Sequence, residues 1–317
     1  MTDQLDESVR SLLDISNRSN TRSLETGTAQ QARVDYNAGF PALQGAKEAV
    51  ASVEDRQISG PDGSITVRIY RGFGAPSKDG PGLLYFHGGG WVIGNLDSHD
   101  EICRWFANLG KCTVICPDYR LAPEHKFPAG LMDCAAALGF MAKSATDFGI
   151  DLRRIAVAGD SAGGNLAAVL AVMSRSGAAP RLAAQLLIYP NTDATQTADS
   201  YRRYATGFGL TATTMKWFRD YYVRTAADIV DWRVSPLRAE SVAGAAPAFI
   251  ATAGYDILVD EGTAYAERLR QEGVRVVLRH WPGQIHGFVS MGRYVPQARQ
   301  AVQEAVAAWR SFEEAPD

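Results

Sequence analysis

The 317-residue chain lacks any run of about eighteen consecutive apolar residues, so the sequence does not support a membrane-spanning helix. It also lacks an excess of basic charge. Its 32 Lys and Arg residues stand against 35 Asp and Glu residues, a formal net charge of −3, which argues against a nucleic-acid partner. The first residues are acidic and polar, without the basic start and apolar stretch of a secretory signal. We therefore expect a cytoplasmic protein.

Cysteine is scarce, and no CxxC pair occurs among Cys103, Cys112, Cys116 and Cys134. Cys112 and Cys116 lie in one apparent strand, where their Cα atoms would be roughly 13 Å apart, too far for a disulfide. We predict four buried free thiols, as is usual in a reducing cytosol.

The chain alternates short apolar runs with helical patterns. Helices are predicted near 98–109, 129–148, 162–175, 261–272 and 295–313. Strands are predicted at 51–59, 65–71, 83–87, 112–117, 155–159, 185–190, 247–254 and 275–281. The first two strands flank the turn tripeptide Pro61-Asp62-Gly63 and predict an antiparallel edge hairpin, whereas the later runs are nearly all apolar. This order predicts an α/β fold, a mostly parallel sheet with helices on both faces.

Two stretches depart from this alternation. Residues 1–50 have the pattern of polar helices before the first strand, and residues 191–240 contain the helix-like TATTMKWFRDYYV. We predict N-terminal cap helices at 1–50 and a cap insertion at 191–240, with a core at 51–190 and 241–317. A cap would lie over the C-terminal edge of the sheet, where open α/β sheets bind their ligands.

The segment Gly159-Asp160-Ser161-Ala162-Gly163 has the form G-x-S-x-G. It follows the apolar run IAVAG and precedes the helix-forming NLAAVLAVM, so a strand, a sharp turn and a helix follow one another, as a nucleophile elbow requires. The helix would direct backbone N–H groups and its positive dipole end at the site. Ser161 is therefore the candidate nucleophile. A glycine-rich turn that only packs, or that binds phosphate, is the alternative from this motif alone.

A second glycine-rich segment, HGGGW at 87–91, directly follows the apolar run LLYFH. Three glycines permit close approach and leave N–H groups free, and acyl transfer needs such donors where the oxyanion develops. We predict the N–H groups of Gly88, Gly89 and Ala162 as oxyanion donors, and His87 as a residue that orients the loop. A flexible loop or a phosphate cradle is the alternative, but no GxxxxGK[ST] or GxGxxG accompanies it.

A serine nucleophile needs a base. After an elbow of this kind the chain order is serine, acid, histidine, which leaves His280 and His286. His280 lies inside the strand-like RVVLRHW and should be fixed in the sheet. His286 lies on the loop PGQIHGF beyond it, so we predict His286 as the base.

The acid should follow the strand before the histidine. Asp256 comes directly after the predicted strand PAFIATAG and one tyrosine, and we predict it as the acid. Asp260 is an alternative that is better explained as an N-cap, and Glu261 is one that complements the dipole of the next helix. Asp193, which follows the strand QLLIYP, is a weaker alternative that would shape the entry to the cap.

Together these motifs resemble the hormone-sensitive lipase-like family of α/β-hydrolases, in its bacterial branch with GDSAG at the elbow. The resemblance spans about 50–290 and rests on five motifs in the right order: HGGGW at 87–91, DYRLAPEHKFPA at 118–129, GDSAGGNLA at 159–167, AGYDILVDEG at 253–262 and PGQIHGF at 282–288. It implies an eight-stranded sheet, a cap with an insertion after strand six, and no cofactor or metal. Ile257 and Val259 depart from the Pro and Arg of many relatives.

The resemblance implies a carboxylic ester hydrolase with a Ser161–His286–Asp256 triad and a small-molecule ester as substrate. Aromatic cap residues such as Phe208, Trp217 and Tyr221 would favour short to medium acyl chains. Many relatives dimerise through the sheet edge or the last helix, so a homodimer is compatible with the resemblance. The alternatives are an amide or carbamate hydrolase on the same triad, and a non-catalytic small-ligand binder, as in the plant gibberellin receptors that resemble this family.

Overall fold

A computed structural model describes residues 4–18, 22–177 and 180–314. Within these residues eight strands form one sheet, in the order β1-β2-β4-β3-β5-β6-β7-β8. The strands are β1 (Ser52–Gly60), β2 (Gly63–Arg71), β3 (Gly80–Phe86), β4 (Thr113–Pro117), β5 (Ile150–Asp160), β6 (Ala184–Ile188), β7 (Ala248–Tyr255) and β8 (Val276–Ile285). Strand β2 pairs antiparallel with β1 and β4, and the other neighbours are parallel. The prediction of a mostly parallel sheet is confirmed.

The helices cover both faces of this sheet. They are α1 (Glu7–Arg18), α2 (Ala29–Gly39), α3 (Asp100–Gly110), α4 (Ala129–Lys143), α5 (Ala162–Met173), α6 (Ser200–Arg203), α7 (Ala212–Tyr222), α8 (Val259–Gln271) and α9 (Gln297–Glu313). Helices α4, α5 and α8 contribute to the core on one face, and α3 and α9 to the core on the other. In the described parts of the chain, no helix has the length and apolar character needed to cross a membrane.

Strand β3 shows why the central runs are apolar throughout. Successive side chains of a strand point to opposite faces, so Leu84 and Phe86 enter one core while Leu83 and Tyr85 enter the other. All four side chains are fully buried. A strand covered on both faces has no solvent-facing position. Apolar and polar residues therefore do not alternate along β3, and its sequence is apolar throughout.

The first two strands form the predicted edge hairpin. Gly60 pairs with Gly63 across the two-residue turn, and the ladder continues to the pair of Ser52 and Arg71. Most of β1 is exposed, which fits its place at the edge of the sheet and its more polar sequence.

Strand β8 is longer than predicted. It runs to Ile285 rather than ending near residue 281, because pairing with β7 resumes after an irregularity and joins Tyr255 to Ile285. The segment predicted as a loop before His286 is therefore largely strand. His286 follows the last residue of β8 directly, so the pairing of β8 with β7 fixes the backbone position of His286.

A buried carboxylate joins the N-terminal segment to α3. Glu101 is 3% exposed, and its Oε1 accepts a hydrogen bond of 2.8 Å from the Gly45 N–H. Burial raises the pKa of Glu101 to about 7. Between about pH 4.5 and pH 7 the folded protein therefore keeps a proton that the unfolded chain has released.

The free energy of unfolding should consequently fall as the pH rises through this window, by about 3 kcal/mol for a pKa difference of this size. Glu101→Gln keeps an acceptor for the Gly45 N–H but cannot ionise, so the variant should lose this part of the pH dependence. Urea unfolding at about pH 5 and about pH 8 measures it. Glu240→Gln, at an exposed glutamate, should follow the wild type. An E101Q profile parallel to the wild type would contradict the prediction.

Candidate active site

Ser161 occupies a strained turn between a strand and a helix. Strand β5 ends at Asp160 and α5 begins at Ala162, as the elbow pattern predicts. The backbone of Ser161 has φ 55° and ψ −118°, a conformation that non-glycine residues rarely adopt. Its N–H donates to the Ile188 carbonyl at 2.9 Å, and its carbonyl accepts from the Asn165 N–H at 3.0 Å. These bonds hold the strained turn in place.

Three side chains from distant parts of the chain form one line of hydrogen bonds. His286 Nε2 lies 2.9 Å from Ser161 Oγ, and His286 Nδ1 lies 2.8 Å from Asp256 Oδ2. Asp256 is fully buried, and its other oxygen accepts from the Leu258 N–H at 2.9 Å. With its proton on Nδ1, the imidazole would donate to Asp256 and present Nε2 to the serine hydroxyl. This arrangement can deprotonate a serine during nucleophilic attack.

The other histidine considered from the sequence lies elsewhere. His280 is exposed on β8, where its Nδ1 lies 3.0 Å from the Thr252 hydroxyl of the neighbouring strand. It is fixed in the sheet, as predicted, and its contact is with β7 rather than with Ser161.

The alternative acids are also engaged away from the histidine. Asp193 pairs with Arg238, with both N–O distances at 2.9 Å. Asp260 pairs with Arg203 at 2.7 Å and accepts from a backbone N–H. The expectation that Asp260 is an N-cap is wrong, because α8 begins at Val259 and Asp260 lies within its first turn.

The glycine-rich loop differs from the prediction at its first glycine. The Gly88 N–H already has a partner, since it donates to Asp160 Oδ1 at 3.0 Å. Gly88 therefore cannot direct its N–H towards a substrate while this bond lasts, and its predicted role as an oxyanion donor needs correction. By contrast, among residues 4–18, 22–177 and 180–314 no hydrogen bond is recorded from the N–H groups of Gly89, Gly90 or Ala162.

Comparison with known proteins gives the family of the chain. Residues 83–290 match the model of a family described as having the alpha/beta hydrolase fold. The chain belongs to this α/β-hydrolase family. It is 42% identical over 265 residues to the carboxylic ester hydrolase LipN of Mycobacterium tuberculosis, covering 82% of this chain and 70% of LipN. It is 39% identical over 289 residues to an ethyl acetate hydrolase of Pseudomonas putida, covering 88% and 89%.

A solved structure extends the match to nearly the whole hydrolase. The ester-hydrolase EH1AB1 from the metagenome of Lake Arreo superposes with a TM-score of 0.94 at 40% identity, covering 98% of this chain and 100% of that one. The resemblance to the hormone-sensitive lipase-like branch is thus confirmed by sequence and by structure.

His87 orients the glycine-rich loop of this hydrolase, as predicted. Its Nδ1 lies 2.7 Å from the Gly88 carbonyl, and its ring stacks on Tyr119 with centroids 4.2 Å apart. The Tyr119 hydroxyl donates to the His87 carbonyl at 2.8 Å. Burial lowers the pKa of His87 to about 3, so the ring is neutral at pH 7. Tyr119 belongs to the segment DYRLAPEHKFPA, so this segment holds the start of the glycine-rich loop in place.

Glu261 takes part in the site in a way that the sequence did not reveal. Its Oε1 accepts from the Asn191 amide at 2.9 Å and from the Thr192 N–H at 2.7 Å. The Asn191 N–H in turn donates to the Ser161 carbonyl at 3.2 Å. Burial raises the pKa of Glu261. Glu261 thus fixes the chain where it leaves β6, next to the elbow, instead of serving as the acid.

Tyr189 is a second residue that the sequence analysis missed. It is buried directly after β6 with a positive φ of 34°, and its ring lies 4.6 Å from the His286 imidazole. On its other side it meets Phe288 at 5.7 Å. Only its place at the C-terminal end of a predicted strand could have pointed to it, since this end of a parallel sheet carries the ligand site.

Proposed function

We propose that this hydrolase is a serine carboxylesterase that cleaves small carboxylic esters. The observation that carries the proposal is the hydrogen-bonded line from Ser161 through His286 to Asp256, with distances of 2.9 and 2.8 Å. Relatives with 42% and 39% identity are named carboxylic ester hydrolase and ethyl acetate hydrolase, which supports an ester as the substrate.

The first half of the reaction forms an acyl-enzyme. His286 Nε2 takes the proton of Ser161 Oγ as this oxygen attacks the ester carbonyl, and a tetrahedral oxyanion develops. Asp256 keeps the imidazole in the required tautomer and stabilises its positive charge. The carbon–oxygen bond to the alcohol then breaks, and His286 returns the proton to the leaving alcohol. In the second half, water attacks the acyl carbon as His286 takes its proton. The bond from this carbon to Ser161 Oγ then breaks, His286 returns the proton to Oγ, and the acid is released.

The oxyanion needs backbone donors. We assign this role to the N–H groups of Gly89, Gly90 and Ala162, so that Gly90 takes the place first predicted for Gly88. All three N–H groups lack a recorded hydrogen bond within the described residues, whereas the Gly88 N–H bonds to Asp160. Each unpaired donor can meet developing charge without breaking an existing bond, which is the basis of preorganised stabilisation.

A cap formed by residues 1–50 and 191–240 is part of the proposal. The two segments meet where the Thr214 hydroxyl donates to Glu25 at 2.9 Å. From the insertion, Phe218 packs against Gly90 so closely that a Cβ there would lie 2.2 Å from its ring. Tyr222 stacks on Trp91 with centroids 4.2 Å apart. These contacts would couple the cap to the oxyanion loop.

The acyl preference follows from the aromatic residues of this cap. Trp217 and Tyr221 form an edge-to-face pair at 4.6 Å, and Phe208 packs on Tyr255 at 5.1 Å beside the acid. Bulky rings leave limited room for the acyl chain of a substrate, so we propose a preference for short to medium acyl groups.

Steady-state rates on p-nitrophenyl esters from acetate to laurate test both the activity and this preference. We expect kcat/KM to be highest for a short or medium acyl chain and to fall for the longest. The matched p-nitroanilide of the preferred acid should react much more slowly. No hydrolysis of any ester by a folded sample would overturn the proposal, and faster cleavage of the anilide would favour an amidase.

We further propose a cytoplasmic protein and a homodimer. The four cysteines are buried free thiols, as predicted, which suits a reducing compartment. Strand β8 forms one edge of the sheet and so offers a surface for pairing with a second copy.

A further inference from the structure

A second aspartate–histidine pair lies behind the glycine-rich loop. Asp160, the last residue of β5, is 4% exposed, and its Oδ1 lies 3.2 Å from His99 Nε2. The same oxygen accepts from the Tyr85 hydroxyl at 2.7 Å and from the Gly88 N–H at 3.0 Å. A carboxylate next to Ser161 in the chain thus bonds to the backbone of the glycine-rich loop.

This carboxylate is held as an anion. Burial alone would raise the pKa of Asp160, but the nearby His99 and the hydrogen bonds from His99 and Tyr85 outweigh it and lower the pKa. A buried anion needs donors, and hydrogen bonds to a charged acceptor are about twice as strong as neutral ones. The Gly88 N–H is therefore firmly held.

The backbone at Gly88 is shaped around the carboxylate. A Cβ at this position would lie 2.3 Å from Asp160 Oδ2, so the first glycine of HGGGW makes room for Asp160. With the Gly88 N–H turned towards Asp160, the chain continues through positive φ angles of 113° at Gly89 and 59° at Gly90. These are the two loop residues whose N–H groups have no recorded hydrogen bond in the described chain.

His99 connects this arrangement to the N-terminal segment. It is buried, with Nδ1 2.8 Å from the Ser98 hydroxyl, so both ring nitrogens have partners. Its ring stacks at 6.0 Å on Phe40, which follows α2, and lies 5.5 Å from the ring of His87. The imidazole is thereby fixed in place from several sides and can orient the carboxylate.

We propose that Asp160, oriented by His99, is a positioning residue that holds the Gly88 peptide and so aims the next N–H groups of the loop at the oxyanion. This inference rests on the proposed esterase function, and in it neither Asp160 nor His99 touches the substrate.

Asp160→Ala is expected to lower kcat on p-nitrophenyl acetate by about 100- to 1000-fold, the loss typical of one oxyanion donor, with KM changed only a few-fold. Asp160→Asn keeps an amide oxygen for the Gly88 N–H, so its kcat should be at least about tenfold higher than that of Asp160→Ala. A trifluoromethyl ketone forms an oxyanion with Ser161. Its affinity for each Asp160 variant should fall by about the same factor as the kcat/KM of that variant.

Two further measurements separate positioning from general damage. The acidic limb of the kcat/KM profile should stay in place in Asp160→Ala, because the triad is untouched. Asp133→Ala is the matched control, since Asp133 is also fully buried and accepts from the Arg120 N–H at 2.9 Å. It should lower the melting temperature while leaving kcat within a few-fold of wild type.

If Asp160→Ala does not fold, His99→Phe keeps a ring in the same packing and removes the hydrogen bond to Asp160. We then expect a kcat loss of about tenfold with little change in KM. A folded Asp160→Ala or His99→Phe with wild-type kcat would overturn the inference while leaving the esterase proposal intact. An inactive wild-type protein would instead overturn the proposed function.

Discussion

Replacing Ser161 with alanine is expected to abolish ester turnover and to leave the fold intact. The change removes Oγ, the atom that lies 2.9 Å from His286 Nε2 and forms the acyl bond. Loss of a serine nucleophile costs on the order of a million-fold in kcat in comparable enzymes. Steady-state hydrolysis of p-nitrophenyl acetate measures the loss, and near-UV circular dichroism checks the fold.

Ser174→Ala is the matched control for this variant. Ser174 is a buried serine at the other end of α5, where its hydroxyl donates to the Ala171 carbonyl at 3.0 Å. It should keep kcat near the wild-type value. If Ser161→Ala kept near-normal rates, Ser161 would not be the nucleophile and the mechanism would fail.

Asp256→Asn should lower kcat by about 10,000-fold. The asparagine amide can donate to His286 Nδ1, which would place the imidazole proton on Nε2 and leave no acceptor for the Ser161 proton. The geometry of the site should otherwise persist, because the side chain keeps its shape. Burst kinetics and kcat on a short p-nitrophenyl ester measure the effect.

The alternative acids provide the controls. Asp193→Asn and Asp260→Asn remove one charge from pairs with Arg238 and Arg203, away from His286. Both variants should keep kcat within a few-fold of wild type. Unchanged activity in Asp256→Asn, with a large loss in either control, would move the role of the acid to that residue.

The meeting of these three side chains could be predicted from the sequence because each one comes after a predicted strand of the parallel sheet. Ser161, Asp256 and His286 follow β5, β7 and β8, and parallel strands bring their C-terminal ends to one edge of the sheet. Chain order and strand ends therefore carry most of the information needed. The lengths of the strands were less predictable, as β8 shows, because pairing resumes after an irregularity that the pattern does not reveal.

Gly88 shows what local patterns cannot provide. Its N–H was predicted to face the substrate, but it bonds to Asp160, which is 72 residues away along the chain. Nothing within HGGGW distinguishes a donor that is already bonded from one that is free. The same applies to Glu261, whose partners lie 69 and 70 residues earlier. Contacts of this kind depend on the assembled sheet.

The N-cap predicted at Asp260 failed for a more local reason. The carboxylate of Asp256 accepts from the Leu258 N–H at 2.9 Å, and the helix starts directly after this turn. Asp256, the proposed acid, therefore accepts a backbone hydrogen bond at the start of this helix, where a capping residue usually does so. Asp260 instead pairs with Arg203.

Covalent labelling of the intact protein by a fluorophosphonate, read by mass spectrometry, tests the central claim most directly. The probe reacts with a serine that is activated by its base, so the account predicts one adduct per chain, located on Ser161 by peptide mapping. Ser161→Ala should take up no label, and Ser174→Ala should be labelled like the wild type. A folded wild-type protein that takes up no label, or a label located on another residue, would contradict Ser161 as the nucleophile.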